Sequence, residues 1–264
     1  MMPSSQNRAA DLEVYQFPCL QDNYGYIVRD PVTGATATID TPSASAIEKA
    51  LGQKGWPLDY ILNTHHHPDH AGGNLELKEK TGCRIVGPRA DAARIPGIDV
   101  TVGDGDTFDL GSHRARVFDT PGHTRGHIVY VFDQDHAAFV GDTLFAMGCG
   151  RLFEGTPAQM WNSFQKIMRF PDDTRLYCAH EYTQKNARFA LTVEPGNPDL
   201  VARAAEVDRL RAQGLPTIPT TVGREKKTNP FMRPNSAGLQ ATLGMAGAEL
   251  VDVFGEVRRR RNEF

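Results

Sequence analysis

The chain alternates short runs of apolar, β-branched and aromatic residues with longer stretches in which apolar positions recur every three or four residues. Strand side chains point alternately to two faces, so the short runs predict strands over 13–17, 25–28, 35–39, 60–63, 84–86, 116–118, 128–132, 137–140 and 176–179. Turn residues such as Asp22-Asn23 and Thr33-Gly34 separate them. Ser43 opens a helix whose Ile47, Ala50 and Leu51 share one face, and a second helical stretch over 75–80 stops at Gly82. Thr156, Pro157 and Gln159 spell a capping box with proline in the first helical position. Behind it, Met160, Trp161, Phe164, Ile167 and Met168 form the apolar stripe of a helix packed on a core.

After Tyr182 the strand pattern fades. Helical periodicity takes over at 181–193, 198–213, 236–246 and 249–261, while the Pro/Thr/Lys-rich segment 216–234 is expected to be irregular. The simplest organisation is a mixed, β-rich domain over 1–182 followed by a small all-α domain over 183–264.

Composition narrows the function classes. A chain of 264 residues buries a core without disulfides or a partner, and 40% hydrophobic residues exclude intrinsic disorder. A net charge of −3 argues against a strongly basic nucleic-acid binder. No apolar run approaches the roughly 20 residues that span a bilayer. Residues 1–13 are polar and lack the apolar stretch of a signal peptide. Cys19, Cys83, Cys149 and Cys178 are scattered singly, forming neither a disulfide framework nor a CxxC site. The expectation is a cytoplasmic, reduced, monomeric protein with no nucleic-acid or membrane partner. Cys149, flanked by glycines, is expected to serve packing or turn geometry.

The chemistry concentrates in Thr64-His65-His66-His67-Pro68-Asp69-His70, directly after an apolar strand. In an extended segment His65 and His67 share one side while His66 points away. Pro68 then favours a first helical turn that sets Asp69 and His70 nearby. Imidazole and carboxylate suit Zn, Fe or Mn. Four such donors are too many for one catalytic ion that must keep an open position, so two metals fit better. Thr120-Pro121-Gly122-His123-Thr124, Gly141-Asp142-Thr143 and His180 each follow a predicted strand in the same way. Functional residues collect on loops that a rigid scaffold positions, here the strand ends of one sheet edge.

Taken together, T-H-H-H-P-D-H, T-P-G-H-T, G-D-T-L-F and H-E-Y-T resemble the metallo-β-lactamase superfamily. Within it the chain most resembles the glyoxalase II (hydroxyacylglutathione hydrolase) family. The likeness spans nearly the whole chain, through Asp22-Asn23-Tyr24, Gly148-Cys149-Gly150, Asn229-Pro230-Phe231-Met232-Arg233 and the terminal Arg258-Arg259-Arg260-Arg261-Asn262-Glu263-Phe264. It implies an α/β fold, the αββα sandwich, with a small C-terminal all-α domain that binds glutathione. One metal would be held by His65, His67 and His123, and a second by Asp69, His70 and His180. Asp142 would bridge both, making Asp69 and Asp142 catalytic as well as ligating. His66, His113, His127 and His136 are left as non-ligands. The resemblance implies two divalent ions, zinc first, with iron or manganese compatible with the same donors.

The reaction implied is hydrolysis of an S-(2-hydroxyacyl)glutathione, such as S-D-lactoylglutathione, to glutathione and a 2-hydroxy acid (D-lactate), with a hydroxide between the metals as nucleophile. A thiol, with a pKa near ~8.5, leaves as thiolate with little proton help. That suits a chain in which no general acid stands out. The family's glutathione contacts fall on Arg151, Phe153, Tyr182, Arg258 and Arg261. Three depart from the family's usual residues: Arg replaces Lys at 151 and 261, and Phe replaces Tyr at 153. Arginine keeps the charge as a planar fork rather than a point charge, and phenylalanine loses a hydroxyl, so altered glutathione binding with unchanged chemistry is expected. The alternatives are a persulfide dioxygenase-like mono-iron oxidoreductase or another hydrolase of the superfamily (lactonase, β-lactamase or nuclease). The complete double ligand set argues against the first, the lack of a cysteine ligand against a β-lactamase, and the net charge against a nuclease.

Overall fold

The computed structural model describes residues 10–264, so most of the polar stretch predicted to lack a signal peptide lies outside the described residues. Strands β1 (Glu13–Cys19), β2 (Asn23–Arg29), β3 (Thr36–Ile39), β4 (Tyr60–Leu62), β5 (Arg84–Pro88) and β6 (Val100–Val102) pair in that order. The first three are antiparallel, and β3 to β6 run parallel. The chain continues through β7 (Thr107–Leu110), β8 (His113–Asp119), β9 (Ile128–Phe132), β10 (Ala137–Gly141), a short hairpin of β11 (Leu144–Phe145) and β12 (Gly148–Cys149), then β13 (Arg175–Cys178) and β14 (Thr220–Thr221). All of these but the hairpin form a second sheet, ordered β7–β8–β9–β10–β13–β14. The helices are α1 (Ala44–Lys54), α2 (Pro68–Ala71), α3 (Asn74–Thr81), α4 (Pro157–Ile167), α5 (Thr183–Val193), α6 (Pro198–Ala212), α7 (Val222–Thr228), α8 (Ala237–Leu243) and α9 (Leu250–Glu263).

Strand alternation builds the layers. Ile27, Ile61 and Ile85 point to one face of the first sheet, where they bury Ile47 and Leu51 of α1 and Leu77 of α3. Their neighbours Tyr26, Val28, Leu62 and Val86 point the other way, into a core shared with Val117, Tyr130 and Phe139 of the second sheet. Each fully buried side chain of this size stabilises the fold by about 1.5–3 kcal/mol. Beside the second sheet lie α4, whose Lys166 Nζ donates to the Asp119 carbonyl at 2.8 Å, and α9. Trp161, Phe164, Phe231, Phe254 and Val257 are buried where these two helices meet. The arrangement is the αββα sandwich with additional C-terminal helices. Among the described residues no helix is long and apolar enough to cross a membrane.

Local signals held where the sequence carries them. Ser43 caps α1, Gly82 ends α3 in the left-handed region, and the Thr156–Gln159 capping box is formed in full. The segment 216–234 is a correction, because it is not irregular: it contains β14, α7 and a 3-10 turn at Pro230–Met232. A tertiary contact organises it. The fully buried Glu225 carboxylate accepts from Thr220 Oγ1 (2.7 Å), Met147 N (2.8 Å) and Asn229 Nδ2 (2.9 Å), and pairs with Arg203 (2.7 Å). Strands β6 and β7 were not predicted; Gly103, Gly105, Gly111 and the aspartates among them break up the apolar pattern there.

Candidate metal centre

The ends of β4, β8, β10 and β13 deliver the donors to one sheet edge. His65 and His67 follow β4, His123 follows β8, Asp142 follows β10 and His180 follows β13. Proline at the first position of α2 turns Asp69 and His70 back toward them. His67 Nδ1 stands 3.1 Å from His65 Nε2 and 3.1 Å from His123 Nε2. Opposite this trio, Asp69 Oδ2 lies 3.5 Å from His70 Nε2 and 3.4 Å from His180 Nε2. Asp142 sits between the two groups. Its Oδ1 is 3.4 Å from His70 Nε2 and 3.5 Å from His180 Nε2, while its Oδ2 is 3.4 Å from His123 Nε2.

On four of the five rings the remaining nitrogen, Nδ1, is committed elsewhere, which orients them. His70 Nδ1 meets Asp40 Oδ2 at 2.8 Å, His180 Nδ1 meets Asp22 Oδ1 at 2.8 Å, and His123 Nδ1 meets the Arg151 carbonyl at 2.9 Å. Thr64 Oγ1 donates to Asp40 and therefore accepts from His65 Nδ1 (3.0 Å). With Nδ1 engaged outward on His65, His70, His123 and His180, the Nε2 atoms of these four rings face the centre, where His67 presents Nδ1 instead. Asp40 lies near His65 and His70 as a possible third donor group, but its bonds to His70 and Thr64 make it an orienting carboxylate.

Burial lowers His65, His67 and His123, with neighbouring imidazoles adding to the effect on the first two; His67 falls to about 4. These three rings are neutral, the form a metal requires. In the other group burial is outweighed. Asp142 and Asp40 raise His70 to about 9, and Asp69 and Asp142 raise His180. Burial would raise Asp69, yet its hydrogen bond from His180 and the charge of His70 hold it well below the usual carboxylate range. Protons here balance carboxylates that a dication would balance instead. His70 Nε2 and Asp142 Oδ1 are buried without a hydrogen-bond partner, a costly state unless something completes them. The two His/Asp groups are therefore suited to binding two metal ions.

The other histidines lie outside the donor set. His66 turns away to Asp91 (3.3 Å) and Arg94 (3.1 Å). His127 Nε2 accepts from Asp142 N (3.0 Å) and so orients that residue's backbone. His113 pairs with Asp135, and His136 occupies the turn before β10.

A cavity of about 410 Å³ opens on His123 and Asp142 and is lined by all five residues expected to contact glutathione: Arg151, Phe153, Tyr182, Arg258 and Arg261. Tyr182 stacks on His180 (4.8 Å between centroids, 6° between planes), and Phe153 stands edge-on to His123. Burial and nearby carboxylates push the Tyr182 hydroxyl up, so it remains a donor. Arg261 donates to Asn186 Oδ1 (3.1 Å). Sequence reasoning missed Lys185 and Asn186, which also line the cavity; one helical turn beyond Tyr182, they carried no signal beyond their position in α5. It also missed Asp22 and Asp40, whose partners lie 158 and 30 residues away.

The metallo-beta-lactamase superfamily model matches residues 20–180, and the model of the hydroxyacylglutathione hydrolase C-terminus matches 181–264. The chain is 55% identical to a hydroxyacylglutathione hydrolase of Maricaulis maris, covering 97% of this chain and 100% of that protein. It is 53% identical to the hydroxyacylglutathione hydrolase of Methylococcus capsulatus, over 96% and 99%. The crystal structure of ETHE1 from Myxococcus xanthus superposes with a TM-score of 0.68 at 23% identity, over 95% of this chain and 91% of that one, a likeness of fold. Sequence, fold and site converge: this chain belongs to the hydroxyacylglutathione hydrolase family of the metallo-β-lactamase superfamily and is an enzyme of that family.

Proposed function

We propose that the chain hydrolyses hydroxyacylglutathione thioesters, S-D-lactoylglutathione among them, releasing glutathione and a 2-hydroxy acid. His65, His67 and His123 would hold one divalent ion, Asp69, His70 and His180 the other, and Asp142 both; zinc is the first expectation, with iron or manganese served by the same donors. Bound there, the pair of cations would supply Lewis acidity toward the thioester carbonyl and a water acidified to near neutral pH.

The protein's own contribution is binding and orientation. Arg258 carries the glutathione reading: it is 5% exposed, its Nε is buried without a partner, and it lines the cavity beside the donors. A cation left incomplete in a dry wall fits an anionic ligand, and glutathione brings two carboxylates. Arg151, Lys185 and Arg261 add positive charge around the same cavity. Phe153 and Tyr182 flank the reacting region with apolar faces, which exclude water from the bound thioester. The outward Nδ1 bonds of His65, His70, His123 and His180 hold those rings in place while charge develops.

The helical segment 183–264 contributes Arg258 and Arg261, and we assign it as the glutathione-binding domain. Four unpaired, buried thiols fit a reducing, cytoplasmic setting, and large exposed hydrophobics scattered along the chain fit a monomer. The test is thiol release from S-D-lactoylglutathione together with metal analysis of the same preparation. Oxygen consumption with glutathione persulfide and no thioester turnover would refute the assignment in favour of an oxidoreductase.

A further inference from the structure

Segment 150–155 carries two of the proposed glutathione contacts, Arg151 and Phe153, and is fastened to the loops that carry His123 and Asp142. Gly150 N donates to the Thr143 carbonyl (3.2 Å), Gly155 N donates to the Gly122 carbonyl (3.1 Å), and the Arg151 carbonyl accepts from His123 Nδ1 (2.9 Å). Both ends are in backbone contact. A Cβ at Gly150 would overlap the Asp142 carbonyl, and one at Gly155 would stand 2.5 Å from Gly122 Cα. Glu154 anchors the segment from behind. Its carboxylate takes both Nη atoms of Arg94 and accepts from Arg125 N (2.8 Å). Arg94 is tied onward to Asp91 (2.5 Å) and to His66 Nε2 (3.1 Å). His66 sits between His65 and His67 in the chain, and Arg125 lies two residues after His123, so both anchors of Glu154 reach the loops of the three-imidazole group.

We propose that Arg94 and Glu154 are positioning residues that couple glutathione binding to retention of the ion held by His65, His67 and His123. The inference rests on the reading of the preceding section. A glutathione moiety gripping Arg151 and Phe153 restrains their backbone, and that backbone holds the His123 ring through its Nδ1 proton. To leave an ion held there, the ring would have to carry the carbonyl with it or break this hydrogen bond. By linkage the effect is reciprocal: the ion that orders His123 also orders the segment that grips glutathione. Orienting partners of this kind change metal affinity by roughly 10–100-fold, so a coupling of about tenfold is expected.

The experiment uses the full chain carrying two equivalents of zinc, challenged with a chromogenic chelator with and without saturating S-methylglutathione, a thioether that cannot be hydrolysed. Calorimetry establishes saturation for each protein. In the wild type, release of one equivalent is expected to slow about tenfold with the probe. In Glu154→Gln and Arg94→Met, at their own saturating probe concentrations, the slowing should shrink to about twofold or less. Gly155→Ala, which displaces the same segment without removing a charge, should behave alike and stands in if a charge variant does not fold. Binding of the probe without any slowing in the wild type, or undiminished slowing in the variants, would overturn the coupling alone. Failure of the wild type to bind the probe would overturn the glutathione reading and this inference with it.

Discussion

Arg258→Ala separates a binding residue from a structural one. The guanidinium is buried in α9, donates from Nη1 to the Cys149 carbonyl at 2.6 Å, and lies 5.4 Å from the centroid of the Phe231 ring. Burial lowers its pKa and no carboxylate raises it again, so the charge is desolvated without a counter-charge. A charge-assisted hydrogen bond to a substrate carboxylate is worth about 1.5–3 kcal/mol. At about 1.4 kcal/mol per tenfold, its loss raises KM by about 10- to 150-fold. Because the contact lies away from the reacting carbonyl, it is made equally in ground and transition states, and kcat should change by less than about threefold. Folding stability responds differently. The lost hydrogen bond and ring contact are offset by removal of an uncompensated buried cation, so the net change should be within about 1 kcal/mol. The assay pairs initial rates on S-D-lactoylglutathione, with the released thiol trapped by a chromogenic disulfide, with urea unfolding of both proteins. A structural arginine would give the opposite pair: unchanged KM and a loss of several kcal/mol. That result would refute the reasoning.

Three further outcomes follow from the structure. Asp142→Ala removes the carboxylate whose two oxygens face the two donor groups, so bound metal, measured by elemental analysis, should fall from about two equivalents to about one or less, with turnover falling alongside. Phe254→Ala empties a fully buried position packed on Phe164 and Phe231 at 5.4 Å from each, and denaturant unfolding should register a loss of about 3–5 kcal/mol. Burial alone would raise the Asp30 carboxyl, but hydrogen bonds from Ser112, Thr33 and Val32 hold it below the usual carboxylate range. Its folded pKa is depressed, so its stabilisation is present above the unfolded value near ~3.9 and is lost as pH falls through the folded value. The stability gap between wild type and Asp30→Ala should therefore be widest near neutrality and narrow below about pH 4; a gap independent of pH would count against the carboxylate's role.

Much of the fold and the donor set was legible because each signal was local. His65 to His70 lie within one strand-to-helix turn, and the Thr156–Gln159 box states its own helix start. The elements that escaped depend on contacts distant in sequence. Around Glu225 the helix cap Thr221 is a weak local signal; the buried carboxylate gathers Arg203, Thr220, Asn229 and the backbone of Met147 only after the chain has folded. Asp22 and Asp40 are ordinary turn residues in the sequence, and their role exists only through His180 and His70. Glu154 and Arg94 are likewise unremarkable until the fold brings together two positions 60 residues apart.

The position of β14 has a practical consequence. It comes from the C-terminal segment yet forms the outer strand beside β13, pairing Arg175 with Thr221 and Leu176 with Thr220. A fragment ending at Tyr182 would bare a hydrogen-bonding edge one step from the backbone that leads to His180, and a bare edge recruits other chains. The two stretches matched by separate family models would thus be recovered by fragment complementation, co-expressed so that each supplies the other's missing neighbour, and grafting the tail onto a foreign catalytic unit would require transplanting an edge strand along with it.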